Sequence, residues 1–323
     1  MTFDYGGYAG KTLRIDLTKG KIIKETQSKS KLEKYLGGRG VDAKILFDEL
    51  KPNINPLHSD NVLCISTGPI TGLLGPTTGR INVATKSPLT DIYGNSNAGS
   101  DWGSELKYAG YDNIIIKGRA PKPVYLCIDD EHVELKDAAH LWGEGVFETT
   151  LALQEEQRGY DTKVAAIGPA AENGVLFCSI IFNLWDAAGR TGTGTVMASK
   201  NLKAITVSGS GELRVADPER YLEIIRDGWL GILNDPGFLT GEHKRLEHRY
   251  VLIGVMHKDG FRLETLERAP LKEPIQYPVK NSETNTQRVQ VPYQEDVPAC
   301  PALIDAKDLE ESNPENMLEQ REA

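Results

Sequence analysis

Residues 187–209, AAGRTGTGTVMASKNLKAITVSG, combine closely spaced glycines and threonines with a strand-like end. The stretch places Gly189, Gly192 and Gly194 around a single arginine, Arg190, and continues into the strand-like run KAITV. Glycines at this density indicate that the backbone approaches another group very closely. What that group is becomes the first question that the sequence raises.

Two familiar phosphate-binding motifs do not account for this stretch. Gly189 and Gly194 fit the start of GxxxxGK[ST], but Thr195 and Val196 occupy the positions of the required lysine and hydroxyl residue. A dinucleotide fingerprint, GxGxxG, would need a glycine at the position of Met197. Neither a P-loop nor a Rossmann site is therefore expected.

A more general anion site remains compatible with the residues. Backbone N–H groups of a glycine-rich turn at the start of a short helix, TVMASK, can bind anions, and Arg190 adds a planar cationic fork. A second loop, GPITGLLGPTTGR, ends in Gly79 and Arg80. Two such loops suit a ligand with two phosphates, or with one phosphate and a polar ring. The alternative is a pair of tight turns with surface arginines.

The stretch GNSNAGSDWG, between these two loops, offers Asn95, Asn97 and Ser100 beside glycines. An asparagine amide both donates and accepts hydrogen bonds, and it can therefore read the edge of a heterocycle. Its oxygen can also complete the shell of a magnesium ion that bridges phosphates. The alternative is an ordinary surface loop.

The composition is that of a globular protein, with 323 residues, 39% of them hydrophobic and 26% charged, and a formal net charge of −9. The length fits one large domain or two, and the negative charge argues against a nucleic-acid partner. Basic residues concentrate in 11–44, and the final stretch is acidic. Both features are typical of solvated surface. Alternatively, the basic edge docks an acidic protein.

The cysteines are few and far apart, and no CxxC motif occurs: Cys64, Cys127, Cys178 and Cys300. A disulfide framework or a structural zinc site is not expected. The first three lie in apolar, strand-like runs, which indicates small core residues in a reducing compartment. The chain shows neither a signal peptide nor an apolar stretch of membrane-spanning length, and we expect a cytoplasmic protein without membrane contact.

Strands with interspersed helices extend to about residue 210. Two hairpins, KTLRIDLTKGKIIKET and PVYLCIDDEHVEL, favour a mixed α+β arrangement over a doubly wound parallel sheet. Each Gly–Arg loop is followed by LK, a strand and a glycine, which indicates either two units about a pseudo-twofold axis or a chance similarity. Further along the chain, Asp217 and Pro218 begin a helix. The sequence from about Leu271 onward lacks a regular spacing of apolar residues.

Several segments together resemble the N-terminal domain of the tungsten-containing aldehyde:ferredoxin oxidoreductases. The resemblance covers residues 5–210 closely and 211–270 loosely. The segments that carry it are YGGYAGKTLRIDLTKG, YLGGRG, STGPITG, TTGRINVATKSPLT, GSELKYAGYDNIIIKG, AAIGPAAENGV and AAGRTGTGTVMASKNLKAI.

The resemblance implies an α+β fold with two mixed β-sheets in a pseudo-twofold arrangement and flanking helices, followed by a short helical segment and an irregular tail. It divides the chain into three parts. Residues 1–210 would form the tungstopterin-binding domain, residues 211–270 the start of a helical domain, and residues 271–323 an irregular or disordered tail.

The resemblance also implies a cofactor, a tungsten bis-pterin whose phosphates are bridged by Mg²⁺, with molybdenum as an alternative metal. Arg80 and Arg190 would hold pterin or phosphate, and Asn97 would lie at the cofactor with its backbone at the magnesium ion. Close backbone contacts would come from Gly79, Ala98, Gly99, Gly189 and Thr191.

The sequence departs from the family pattern at the iron–sulfur cluster, for which family members carry a CxxCxxxC motif. In the corresponding text, DVPACPALIDA, Cys300 is present, but Val297 and Ile304 occupy the flanking ligand positions. One thiolate cannot hold a [4Fe–4S] cluster. The later D-x-x-G-L motifs and the acid/base Glu and His of the family are not found, so the catalytic residues stay unassigned.

The family reaction is the oxidation of an aldehyde, with water, to a carboxylic acid, and the electrons pass through the cluster to ferredoxin. On the first interpretation the chain supplies the cofactor cradle of such an oxidoreductase, with ferredoxin or a cluster-bearing subunit as partner and a small aldehyde as substrate. Alternatively, it is a non-catalytic cofactor-binding or scaffold subunit, or a decayed fragment with an exposed apolar stripe of Leu222, Ile225, Trp229 and Ile232.

Overall fold

A computed structural model describes residues 5–157 and 161–234 together with four strands in the range 252–290. The chain divides into two compact units, Met1–Leu266 and Glu267–Ala323. The described part of the second unit consists of β15 (Gln276–Lys280) and β16 (Thr286–Gln290), which pair antiparallel.

The first unit contains two six-stranded sheets. The first sheet comprises β1 (Lys11–Asp16), β2 (Lys21–Thr26), β3 (Leu63–Thr67), β4 (Ile81–Lys86), β5 (Tyr93–Ala98) and β6 (Asn113–Lys117). The second comprises β7 (Val124–Asp129), β8 (His132–Asp137), β9 (Lys163–Ala166), β10 (Ile180–Phe182), β11 (Asp186–Ala188) and β12 (Leu202–Ser208).

Helices connect and cover these strands. They are α1 (Lys29–Tyr35), α2 (Gly38–Glu49), α3 (Trp102–Tyr108), α4 (Val146–Glu156), α5 (Pro169–Glu172) and α6 (Thr193–Ser199), with a short 3-10 helix at Ala139–Leu141. After the second sheet come α7 (Pro218–Asn234) and an antiparallel pair, β13 (Leu252–His257) and β14 (Gly260–Thr265).

Each six-stranded sheet with its connecting helices forms one half of residues 11–208, and the two sheets have the same topology. Their strand orders are β2-β1-β6-β3-β4-β5 and β8-β7-β12-β9-β10-β11, so each strand of one half has a counterpart six numbers later. In both halves the first strand pairs parallel with the last, and every other pairing is antiparallel. The prediction of an α+β fold with two mixed, equivalent sheets is confirmed.

The residues that suggested this repeat do not occupy equivalent positions, and that part of the expectation is wrong. Gly79 and Arg80 precede β4, the fourth strand of the first half, whereas Gly189 and Arg190 follow β11, the fifth strand of the second half. The counterpart of Gly189 is therefore Gly99, which follows β5. The strand order and pairing are thus repeated, whereas the Gly–Arg loops are not.

The sheets share one core, and α3 and α6 contact strands of both. Trp102 of α3 is fully buried, and its ring meets Phe182 of β10 edge-on at 5.2 Å between ring centroids. Its indole N–H donates to the backbone oxygen of Ile205 at 3.3 Å, so the ring satisfies its one polar atom within the core. The outer faces of the sheets are covered by α2 and α4.

Local patterns predicted most elements, and both hairpins are confirmed. The helical segment interrupted by glycines is two helices, α1 and α2, which break at Leu36 (φ 59°). The stretch GNSNAGSDWG, expected to be a loop, is in its first half the edge strand β5. It escaped prediction because polar side chains fill the positions where a buried strand would carry apolar ones.

Helix α7 begins as predicted, with the carboxylate of Asp217 accepting the backbone N–H of Arg220 at 3.1 Å and Pro218 in the first position. Leu222 packs onto a small cluster formed by Leu73, Tyr108 and Leu213. Of the expected apolar stripe, Leu222, Ile225 and Ile232 are half-buried and Trp229 is exposed.

Cys64 and Cys127 are buried as expected, whereas Cys178 is half-buried, and all three are free thiols. Cys300 lies outside the described residues. None of the helices in the described ranges combines the length and the apolarity that crossing a bilayer requires. The strand pairs β13–β14 and β15–β16 were not among the expected elements.

Candidate functional site

The edge strand β5 and the segment that follows β11 lie against each other. The backbone N–H of Arg190 donates to Ser96 Oγ at 3.2 Å. The Ser87 hydroxyl, just beyond β4, donates to the backbone oxygen of Thr191 at 2.8 Å. The glycine-rich segment of the second half is therefore fixed along the outer strand of the first half.

The turn before β4 joins the same region. Thr71 Oγ1 donates to the backbone oxygen of Arg80 at 2.9 Å. A Cβ atom on Gly79 would lie 2.6 Å from the backbone oxygen of Ser100, and a Cβ atom on Gly99 would lie 3.1 Å from Asp186 Oδ1. The three segments that the sequence singled out, 79–80, 95–99 and 189–191, are thus brought together at the edges of the two sheets.

Both arginines present their side chains to solvent. Arg80 and Arg190 are exposed, and neither guanidinium forms a hydrogen bond or ion pair with another described residue. The charge of Arg80 acts on the Asp186 carboxyl, whose pKa is raised by burial and by the neighbouring Asp101, and partly offsets that rise. A guanidinium fork matches phosphate oxygens in charge and shape, so both exposed arginines are candidates for holding such a group.

The three glycines of the 187–209 stretch have different reasons to be glycine. Gly192 has φ 71°, and a Cβ atom on Gly192 or Gly194 would overlap the backbone oxygen of Leu176 or Ser179. Both are explained by packing within the chain. For Gly189 the nearest atom to such a Cβ is 3.9 Å away and belongs to Ala187. Only Gly189 leaves its backbone open to an approaching group.

The start of α6, expected to bind an anion, is buried. The backbone N–H of Gly194 donates to the carbonyl of Cys178 at 3.0 Å, and Thr193 and Thr195 are almost fully buried. This expectation is wrong because the chain itself satisfies the first turn of the helix. The accessible polar groups lie one turn earlier, at residues 189–191.

The remaining expected site residues differ in what they expose. Asn97 is exposed on the outer face of β5, and its amide donates to Asn82 Oδ1 at 2.9 Å. Ala98 points into the shared core and leaves only its backbone available. Thr191 has φ 69°, and its hydroxyl donates to the backbone oxygen of Arg190 at 2.6 Å.

Two residues next to this edge were not singled out from the sequence. Arg39, in the YLGGRG segment, is exposed, and its charge lowers the pKa of Tyr93 on β5, which burial and the Asp42 carboxyl raise to about 12. Asp42 belongs to α2, and its side chain is fully buried. The sequence does indicate that Asp42 is buried, because its spacing places it with Val41, Ile45 and Leu46 on the inward face of α2.

A protein-family model described as "Aldehyde ferredoxin oxidoreductase, N-terminal domain" matches residues 12–209. The chain belongs to this family. It is 40% identical over 280 residues to the tungsten-containing aldehyde ferredoxin oxidoreductase of Pyrococcus furiosus, an alignment that covers 87% of the chain and 43% of that relative. With the corresponding enzyme of Pyrococcus abyssi it shares 47% over 254 residues, covering 79% and 42%.

A further relative is the WOR-like subunit of an aliphatic sulfonate oxidoreductase from Pyrococcus furiosus, 40% identical over 238 residues, covering 69% of the chain and 38% of that relative. Among solved structures, the active site complex BamBC of benzoyl coenzyme A reductase with 1,5-dienoyl-CoA matches with a TM-score of 0.69 and 40% identity, covering 71% of the chain and 35% of its counterpart. The chain therefore spans about two-fifths of the length of the curated relatives that it matches.

Proposed function

We propose that this chain forms the cofactor-binding base of a tungsten-dependent aldehyde:ferredoxin oxidoreductase. The observation that carries the proposal is the convergence of 79–80, 95–99 and 189–191, with the exposed guanidinium groups of Arg80 and Arg190 among them. Arg80 and Arg190 would hold the phosphates or pterin rings of a tungsten bis-pterin. When bound, such a group would supply a metal that can accept two electrons from an aldehyde, tungsten or alternatively molybdenum.

The residues fit such a group. Guanidinium forks match phosphate geometry in charge and shape, and the open backbone at Gly189 allows a flat ring to approach. Because the Ala98 side chain is buried, only its backbone would contact the group. Gly79, Gly99 and Thr191 would also contact it through their backbones. The backbone oxygen of Asn97 would be a ligand for the magnesium ion of such a group, because carbonyl oxygen is among the hard ligands that suit Mg²⁺.

In this proposal the described residues bind neither the iron–sulfur cluster nor ferredoxin. A [4Fe–4S] cluster needs four ligands, usually thiolates, but Cys64 and Cys127 are buried in different sheets. Within the described ranges there is no group of three His, Cys, Asp or Glu side chains arranged to hold a metal. We therefore assign the electron relay to ferredoxin and to a cluster whose ligands lie outside the described residues, with a small aldehyde as substrate.

The test is the metal and pterin content of the full chain purified without oxygen. Tungsten, molybdenum and iron are measured by mass spectrometry, and pterin by fluorescence after oxidation. We expect tungsten or molybdenum with two pterins per metal in the wild type, and at least a tenfold loss in Arg80→Ala and Arg190→Ala, each of which removes a charge-assisted contact.

Arg226→Ala is the matched control, because Arg226 is an exposed arginine on α7. Retention of pterin in this control with loss in the two site variants would support the proposal. A wild-type chain without pterin and metal, or equal loss in all three variants, would contradict it.

A further inference from the structure

A row of polar side chains crosses the first sheet and ends at the candidate site. Five residues on adjacent strands lie directly opposite one another: Thr12, Asn113, Ser66, Asn82 and Asn97. Hydrogen bonds run along the row. Thr12 Oγ1 donates to Asn113 Oδ1 at 3.4 Å, Asn113 Nδ2 to Ser66 Oγ at 2.7 Å, and Asn97 Nδ2 to Asn82 Oδ1 at 2.9 Å.

The carboxyl group of Asp42, from α2, contacts the middle of this row. Asp42 is fully buried, Ser66 Oγ donates to its Oδ1, and Asn82 Nδ2 donates to its Oδ2 at 2.6 Å. An ionised carboxylate only accepts hydrogen bonds. Asn82 must therefore turn its NH₂ group toward Asp42 and its carbonyl oxygen toward β5.

This orientation determines that of Asn97. The two hydrogens of its amide are directed to Asn82 Oδ1 at 2.9 Å and to the backbone oxygen of Ser96 at 3.3 Å. With both donors engaged within the chain, Oδ1 is the part of the exposed amide that is left for a ligand. Asn97 then presents an acceptor, which suits an N–H donor and disfavours an anion.

The fold itself does not require a polar row. In the second sheet the equivalent row consists of Tyr125, Ala204, Ala166, Ile181 and Ala187. It ends at Ala187, two residues before Gly189, just as the first row ends at Asn97, two residues before Gly99. The same position in the same topology is apolar in one half and hydrogen-bonded in the other, which indicates a role at the site rather than in the sheet.

We infer that Asp42 is a positioning residue that acts through Asn82 to fix the Asn97 amide, with both N–H groups turned inward and Oδ1 presented to an N–H donor of the bound ligand. The identification of that donor as a pterin rests on the proposed function. The orientation of the amide does not, and it can be measured without any ligand.

The protonation of Asp42 offers a perturbation that needs no mutation. Burial raises the pKa of its carboxyl to about 7, against the opposing hydrogen bonds from Ser66 and Asn82. A protonated carboxyl can donate, and it no longer forces Asn82 into one orientation. The Asn97 amide should therefore be fixed above about pH 8 and released below about pH 6.

The charged and titratable groups around Asp42 come from four elements. Burial lowers the pKa of Lys31 on α1 and raises that of the Cys64 thiol on β3. Tyr93 on β5 has a pKa raised to about 12, and Arg39 of α2 lies near that phenol. A transition near pH 7 that is present in the wild type and absent from Asp42→Asn therefore belongs to Asp42.

The test uses nuclear magnetic resonance of the full chain with ¹⁵N only in asparagine side chains. The Asn97 signals are identified by their loss in Asn97→Ala. We expect exchange of the Asn97 NH₂ protons with solvent to be about tenfold faster in Asp42→Asn, as the loss of one hydrogen bond implies. Wild-type signals should move toward those of the variant below pH 6.

Thr12→Val is the matched control, because it removes the hydroxyl at the far end of the same row with little change in shape. It should leave the Asn97 signals unchanged. A merely structural role of Asp42 would lower the melting temperature of Asp42→Asn without moving these signals. Asn97 signals that are the same in Asp42→Asn and wild type, with no transition near pH 7, would overturn the inference.

Pterin content separates the two proposals. Asp42→Asn should retain at least threefold less pterin than Thr12→Val. A wild type without pterin whose Asn97 signals nevertheless respond to Asp42→Asn would contradict the proposed function and support the positioning role. Undiminished pterin in Asp42→Asn, with unchanged Asn97 signals, would overturn the positioning role alone.

Discussion

At Asp42, burial and hydrogen bonding act on the carboxyl group in opposite directions. Desolvation favours the neutral acid, while Ser66 and Asn82 donate to the charged form, and burial dominates, so that the pKa rises to about 7. The side chain keeps an ionisable group inside the protein at a cost that depends on pH. Residues that lower stability in this way are commonly found at functional sites.

A first prediction concerns this pH dependence. Between about pH 4 and pH 7 the folded chain holds a proton on Asp42 that the unfolded chain has lost, so the Asp42 contribution to the free energy of unfolding falls as pH rises. The slope is at most about 1.4 kcal/mol per pH unit. In Asp42→Asn this slope is absent. Urea unfolding from pH 4.5 to 7 should show the variant gaining stability relative to the wild type, whereas a constant difference would contradict the prediction.

A second prediction separates the glycines. Gly192→Ala and Gly194→Ala should each lower the free energy of unfolding by at least about 2 kcal/mol, because a Cβ atom meets backbone oxygen at both positions. Gly189→Ala should change it by less than about 0.5 kcal/mol, since the space is open. Denaturant unfolding of the three variants tests this, and Gly189→Ala should instead lower pterin retention. Equal destabilisation by all three would refute it.

Among the elements, those that depend on local patterns could be predicted from the sequence and those that depend on distant pairing could not. The hairpin of β1 and β2 follows from alternation and a turn, and α7 follows from its cap and its apolar spacing. β5 and β11 carry polar or small residues, and their strand conformation comes from the hydrogen bonds that β4 and β10 offer. The glycines near the candidate site could be identified from the sequence, but the sequence does not show which of them pack internally.

A third prediction concerns the start of α7. Asp217→Ala removes the capping hydrogen bond to the N–H of Arg220 and should cost about 1 kcal/mol. Hydrogen exchange of the first turn of α7 should quicken correspondingly. Glu223→Ala, at an exposed position of the same helix, is the control and should change neither quantity measurably. If the two variants behave alike, the cap contributes nothing.

At the scale of the whole molecule, the first unit contains a repeated fold whose two halves carry different residues on equivalent faces. The shared core draws on both sheets, and α3 of the first half places Trp102 against Phe182 of the second. The first half carries the polar row on its outer face, while the second keeps that face apolar beneath α4. The halves therefore depend on each other for stability but contribute different groups to the candidate site.

A fourth prediction tests this dependence. Trp102→Ala should lower the free energy of unfolding by about 3–5 kcal/mol, as expected for a fully buried aromatic ring. Both halves should unfold in a single transition, because the ring contacts both. Trp185→Ala is the matched control, since Trp185 is 41% exposed and should cost less than about 1 kcal/mol. Two separate calorimetric transitions in the wild type would contradict the shared core.

The central position of the last strand in each sheet has a consequence for synthesis on the ribosome. β6 lies between β1 and β3, with Asn113 opposite both Thr12 and Ser66, so the hairpin and the three-stranded meander of the first half remain separate pieces until β6 emerges. The same holds for β12 in the second half. Until that strand is synthesised, each nascent half exposes the two strand edges between which it will lie, and other chains could pair with these edges. One short apolar segment, NIIIK in the first half or LKAITVS in the second, then pairs with both edges and completes the sheet.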